Sequence, residues 1–476
     1  MLKWGPRLAL AIAIAMVSAP TPRADGSMVA IVGATVIDGT GRAPIANGVV
    51  VIAHGRIAAV GSPDRVPVPK TAEIIDVRGK WLIPGLIDAH IHFFQSAGLY
   101  TRPDVIDLRS IVPYAQERAA NRTRLPATLA RYLASGVTGV VDVGGPLWNF
   151  EVREQARQMR FAPQMAVAGP LIATYAPDEL NHEDPPIVRV TTAGAARAEV
   201  RRQLAFGSDL IKIWFIRWRG QDLDGELAWI RAAIDEAHRG GVRVAVHATE
   251  LETARAAVHA GADVLVHSVE REPVDAAFLA LLRAKGVIYT TTLGVYEGYM
   301  KVLRQRPRMT DIDRRIGDAA VIDTFDDLAQ LPESAIPGWV ATAPPPIDPV
   351  TLANLERVQA AGIVIAAGTD AGNIGTLHGP ALHREMELMA EAGLTASQIL
   401  TAATRGGAQA MGREAELGTI EPGKRADMVV LDADPLADIT NVRRIYRVMV
   451  GGIALDPATI LAKATAHASP GNSTGE

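Results

Sequence analysis

The chain has 476 residues, 48% of them hydrophobic, with 48 basic and 52 acidic side chains and a formal net charge of −4. That length is ample for a large domain with an accessory one, and the balanced charge carries neither a nucleic-acid footprint nor an acidic tail. Cysteine is absent, which excludes disulfides, thiolate metal sites and a cysteine nucleophile. Any transition metal would rest on nitrogen and oxygen donors, so the placement of the 11 histidines is the informative quantity.

Residues 1–24 read as a signal peptide. Lys3 and Arg7 precede an apolar run over 8–17, and Val17-Ser18-Ala19 supplies small residues near a cleavage point. The run is short for a membrane span, and an uncleaved anchor is the alternative. The expected location is periplasmic or secreted, with no membrane association after cleavage, near Asp25 or just after Ala19. Residues 25–80 and 415–465 share a texture of β-branched runs broken by Asp38-Gly39, Gly55, Pro422-Gly423 and Gly451-Gly452. They predict one small β-sandwich domain built from both termini, or else two independent edge hairpins. Residues 466–476 read as a flexible tail.

Between them, over 81–414, strand-like and helix-like segments alternate. Short apolar runs lie at 82–87, 137–143, 164–168, 210–215, 242–246, 264–266, 287–291 and 363–367. Helical patterns fall between most of them, at 195–206, 225–239, 251–260, 274–284 and 350–360. Alternation of this kind implies an α/β domain with a parallel sheet, and eight repeats suggest a (β/α)8 TIM barrel. A doubly wound open sheet is the runner-up, without a Gly-x-Gly-x-x-Gly to support dinucleotide binding. The stretch 296–349 departs from the rhythm. It carries helical pieces at 301–308 and 311–320 and the run Ala343-Pro344-Pro345-Pro346, and reads either as a substrate-shaping lid or as solvated decoration.

The first barrel strand runs into Asp88-Ala89-His90-Ile91-His92. Residues i and i+2 of an extended chain face the same way, so His90 and His92 present two imidazoles to one point. The fifth strand candidate ends at His247, the sixth at His267 and the eighth at Asp370. These are the C-terminal strand ends, where barrel enzymes carry their chemistry. Asp142 also closes a candidate strand, but Gly144-Gly145 beside it marks a turn. Lys212 lies inside the apolar fourth candidate, Asp209-Leu210-Ile211-Lys212-Ile213-Trp214. A buried ammonium is costly. Lys212 is therefore either paired with an acidic group or carboxylated by carbon dioxide to give a bridging anion.

Taken in order, Leu82-Ile83-Pro84-Gly85-Leu86-Ile87-Asp88-Ala89-His90-Ile91-His92, Gly368-Thr369-Asp370-Ala371-Gly372 and Leu417-Gly418-Thr419-Ile420-Glu421-Pro422-Gly423-Lys424-Arg425-Ala426-Asp427 resemble the amidohydrolase superfamily. The likeness is strongest to its imidazolonepropionase-like and prolidase-type dipeptidase branch. It implies two divalent metal ions, zinc first, with His90 and His92 on one, His247 and His267 on the other, carboxylated Lys212 between them and Asp370 on the first. Asp370 would also be the catalytic acid–base. The implied activity is hydrolysis of an amide or peptide bond in a dipeptide or N-acyl amino acid-like small molecule, by water that the metals activate. Lactone, ester or phosphotriester hydrolysis is the alternative.

The chain departs from that pattern in places. His247 is followed by Ala248-Thr249-Glu250, where relatives often carry a second histidine, and the seventh candidate ends Tyr289-Thr290-Thr291-Thr292 without a carboxylate clamp. Tyr289 and His378 are candidate substrate contacts, and a structural role for His378 stands beside that reading. The sequence leaves homo-oligomerisation open.

Overall fold

The computed structural model describes residues 28–217 and 223–468. The expected signal segment 1–24 lies outside them, as does most of the expected tail, whose first residues instead complete the helix Pro457–Ala468. No helix among the described residues is long and apolar enough to cross a membrane.

Strands from both ends of the chain form one hydrogen-bonded sheet. Val29–Val36 lies antiparallel to Ile45–Ala53, which pairs in turn with Arg56–Gly61. On the other side Trp81–Pro84 joins Met428–Leu431 antiparallel, with Leu82 opposite Val430, and Ile445–Val450 and Ile453–Leu455 follow. Ile31, Val50, Leu82, Met428, Val430 and Met449 pack together on this sheet. Their apolar faces keep the two ends of the chain together.

The middle of the chain is α/β with parallel strands. They are β1 (Leu86–Ile91), β2 (Val137–Asp142), β3 (Gln164–Val167), β4 (Leu210–Trp214), β5 (Arg243–His247), β6 (Val264–Val266), β7 (Ile288–Thr290) and β8 (Ile365–Ala366). The first three form one parallel sheet. The last five are parallel neighbours in chain order, and two three-residue strands, Leu171–Ala173 and Ile187–Arg189, extend their sheet beyond β4. Backbone bonds also run between the sheets, among them Asp209 N–H to Val167 O (3.0 Å) and Ala89 N–H to Ala367 O (2.9 Å). Most of these strands are buried along their whole length, as parallel strands covered on both faces must be.

The run expected as one strand over 82–87 divides at Gly85. Trp81–Pro84 belongs to the terminal sheet and β1 begins at Leu86. The crossing demands glycine, because a Cβ on Gly85 would run into the Thr138 side chain where the chain passes from one sheet to the other.

The helix expected over 301–308 is displaced towards the N-terminus, to Gly294–Leu303. The pattern over 311–320 breaks at Gly317 into Asp311–Ile316 and Ala319–Ile322. Thr310 and Asp313 close a reciprocal capping box on the first of these, which fixes its start.

Candidate functional site

The parallel strands deliver polar side chains to one end of the α/β core. His90 lies in β1 and His92 just past it, Lys212 in β4, His247 at the end of β5, His267 after β6 and Asp370 after β8. The β4–β5 register sets Trp214 opposite His247, and β5–β6 sets His247 opposite Val266.

The six residues converge. Donor atoms of His90, His267 and Asp370 all lie within 4.8 Å of one another. Asp370 Oδ1 stands 3.5 Å from His90 Nε2 and 3.3 Å from His92 Nε2. The His247 and His267 rings are 4.2 Å apart between centroids, and His90 and His267 are 4.7 Å apart. His92, Lys212, His247, His267 and Asp370 line a cavity of about 350 Å³, and His90 lies wholly buried beneath it.

Electrostatics fix the protonation states. Burial, reinforced by the charge on Lys212, holds His90, His247 and His267 well below the usual imidazole range and takes His92 down to about 3. The rings are therefore neutral at physiological pH and keep a free lone pair. His92 donates Nδ1–H to the Gly144 carbonyl at 2.7 Å, which turns the Nε2 lone pair towards Asp370. His267 Nδ1 pairs with Thr292 Oγ1 at 2.7 Å. Burial pushes the Lys212 ammonium down, while Asp370 is raised by its own burial and held back by Lys212 and Arg102.

Among the six site residues, the buried polar atoms without a hydrogen-bond partner are the two ring nitrogens of His90 and Asp370 Oδ1. Native proteins rarely leave such atoms unpaired. A cation held between His90 Nε2 and Asp370 Oδ1 would satisfy those two atoms, so the donor set fits a divalent metal. Two of the site residues also hold a left-handed backbone. Asp370 has φ +59° and His267 φ +75°, conformations that non-glycine residues adopt at a cost and that cluster at functional sites. Asp370 is held there by its N–H bond to His90 O at 2.7 Å.

Two sequence candidates lie elsewhere. Tyr289 is fully buried, its hydroxyl accepting from Val269 N–H at 2.6 Å. His378 pairs through Nδ1 with Tyr132 Oη and through Nε2 with Gln95 O, both at 2.8 Å. Neither lines the cavity, so neither is placed to touch a substrate there. Each faces away because its polar atoms bond within the core. Asp142 likewise turns inward, accepting from Asn149 Nδ2 at 2.7 Å and Gly144 N–H at 3.2 Å. It thereby shapes the turn that carries the His92 acceptor.

Sequence reasoning passed over a second ring of residues. Arg102 donates to both carboxylate oxygens of Asp104 (2.8 and 2.6 Å), to Tyr299 Oη (2.8 Å) and to Asn373 Oδ1. Tyr299 Oη also donates to Asn373 Oδ1, at 2.5 Å, and Asn373 Nδ2 donates to the Asp370 carbonyl at 3.0 Å. With Oδ1 held by two donors, the amide of Asn373 has one orientation, and its NH2 braces the strained turn. No local signal marks these residues, because Arg102 is 271 positions from Asn373.

The model of the Amidohydrolase family matches residues 81–455. The chain belongs to the amidohydrolase family. It is similar to the imidazolonepropionase of Caulobacter vibrioides, 26% identical over 423 residues that cover 83% of this chain and 90% of that one. It is also similar to the structure of a protein assigned as a prolidase from Bifidobacterium longum, at 25% identity and TM-score 0.66, covering 92% of this chain and 99% of that one. The molinate hydrolase structure shares the fold, with TM-score 0.69 at 23% identity and coverage of 95% and 99%. This amidohydrolase thus sits in the imidazolonepropionase- and prolidase-like branch and is a hydrolase acting on C–N bonds.

The bracing role of Asn373 in this amidohydrolase is measurable. Substituting a group that orients a site residue typically costs about 10–100-fold in activity or metal affinity. Asn373→Ala is expected to fall in that range in kcat with KM little changed. Tyr299→Phe should lose far less, because Arg102 still holds Asn373 Oδ1. Equal losses in the two variants would place the effect in packing and not in orientation.

Proposed function

We propose that this amidohydrolase cleaves an amide bond in a dipeptide or N-acyl amino acid-like molecule at a centre of two divalent cations. We read its parallel strands as one closed eight-stranded barrel, a reading supported by the backbone bonds between its two sheets. The observation that carries the function is the convergence of four imidazoles and a carboxylate near the strand ends with a buried mid-strand lysine, the nitrogens of His90 and one Asp370 oxygen being unpaired.

His90, His92 and Asp370 would hold one cation and His247 and His267 the other, with Lys212, as its carbamate, shared between them. Nitrogen and oxygen donors without thiolate suit zinc, with manganese or cobalt as alternatives. Two such cations polarise a carbonyl and bring water towards ionisation at neutral pH.

The chain's own groups supply the rest. Gly144 and Thr292 fix the planes of His92 and His267. Phe94 and Trp214 border the cavity beside them and give it apolar walls. Asp370 takes the proton released as water oxygen bonds to the carbonyl carbon, and returns it to the nitrogen as the C–N bond breaks.

A direct test loads the purified protein with zinc, measures metal per chain, and screens dipeptides, N-acyl amino acids, lactones and phosphotriesters. Turnover of an amide with about two metals per chain is expected. Activity confined to lactones or phosphotriesters, or full amide turnover by metal-free protein, would overturn the proposal.

A further inference from the structure

A second cavity, of about 290 Å³, lies against the first, and Glu270 and Tyr296 line both. Its floor is made by the segments after β6 and after β7, including Thr292, the residue whose hydroxyl pairs with His267. The lobe therefore adjoins the metal-ligand cavity on the His267 side, with Glu270 and Tyr296 at the boundary. Its roof is the run Pro344-Pro345-Pro346-Ile347 within the stretch 296–349.

The chemistry of these walls selects the occupant. Three consecutive prolines have no N–H to offer and little freedom to rearrange, so a guest finds no backbone donors above it. Leu293, Ile347 and Leu352 add apolar side chains. Of the charged groups at the lobe, the Asp348 carboxylate is already committed. Asp348 caps the helix Pro349–Ala360 through Val350 N–H at 3.0 Å and accepts Arg271 N–H at 2.9 Å. Arg271 also faces Glu270, whose carboxyl burial pushes up.

The rear wall is firm, because the buried amide of Asn354 donates to the carbonyls of Val269 (3.0 Å) and Glu272 (2.8 Å) and accepts Val274 N–H at 2.9 Å. That ties the loop after β6 to the helix behind it. A firm pocket with apolar walls and a set of polar groups around them is the usual form of a small-molecule subsite.

We infer that this lobe is the specificity subsite of the enzyme, and that it takes an uncharged aromatic or branched aliphatic group attached next to the scissile carbonyl. The inference rests on the metal-centred hydrolase reading above. It makes the proline segment a wall of the substrate site, and the preferred substrate a bulky acyl amide.

The test uses hydroxamates as fixed-head probes and reads binding by calorimetry on the zinc-loaded full chain, with no turnover required. Acetohydroxamate carries only the metal-binding head. 2-Naphthohydroxamate adds a group sized for the lobe, and burying even part of its ring is worth about tenfold in affinity. The expected result is 2-naphthohydroxamate at least about tenfold tighter than acetohydroxamate. Ile347→Trp, which fills the lobe, should erase that gain and leave acetohydroxamate unchanged, whereas Ile347→Ala should retain it. Acetohydroxamate binding with no naphthyl gain, or a gain that survives Ile347→Trp in folded protein, overturns the lobe alone. Failure of acetohydroxamate to bind at all overturns the metal-centred reading and the lobe with it.

Discussion

Replacing Lys212 by alanine should reduce bound metal from about two to about one or fewer per chain and take amide hydrolysis to near background, since one shared ligand of a two-metal site is removed. Lys212 is 1% exposed and sits in mid-strand, among neutral histidines and with Asp370 near enough to feel its charge. A full ammonium in that place is expensive, and burial already biases Lys212 towards the neutral amine that reacts with carbon dioxide. Added acetate or propionate should restore part of both metal content and activity, by supplying a carboxylate where the carbamate stood. The competing account makes Lys212 the ion-pair partner of Asp370. It expects the opposite, with metal content unchanged or higher once a positive charge leaves the centre. Metal analysis of the two proteins, with and without acetate, separates them. Two tightly held ions and full activity in Lys212→Ala would end the bridging role.

The legible parts of the molecule are those with a local cause. His90 and His92 stand out because an extended backbone sends both the same way, and His247 and His267 because each closes a short apolar run. Helix Leu251–Ala260 is readable from its 3.6-residue pattern, with Gly261 at φ +108° as its terminator. Leu171–Ala173 and Ile187–Arg189 are three residues each, too short for any period to register.

His378 illustrates a different limit. It lies close after Asp370 in sequence, yet its two nitrogens are spent on Tyr132 and Gln95. Nothing in the order of residues distinguishes a histidine that meets its partners inside the core from one left open to the cavity. Arg102, Tyr299 and Asn373 are invisible for the reciprocal reason, since their roles exist only once three distant segments meet. The split at Gly85 belongs here too, because the apolar run over 82–87 is continuous and the close approach that demands glycine there involves Thr138, far along the chain.

Asp370→Asn is expected to lower kcat by about 10²–10⁴-fold, the range for losing a positioned general acid–base, while much of the metal stays bound. The substitution is well matched to the site. Asparagine is among the few residues that accept the left-handed backbone, so φ +59° at this position costs the variant little. The N–H bond to His90 O and the brace from Asn373 Nδ2 are backbone contacts and survive the change. The amide oxygen can still approach His90 and His92, now 3.5 and 3.3 Å from Oδ1, but it cannot carry a proton between water and the leaving nitrogen. Loss of metal together with activity would mean that Asp370 serves chiefly as a ligand, and the kcat of the remaining loaded fraction decides between the two roles. If that fraction turns over at the wild-type rate, the proton must travel by another group. His378 is closed off in the core, so the remaining acidic side chain on the cavity wall, Glu270, becomes the residue to replace next.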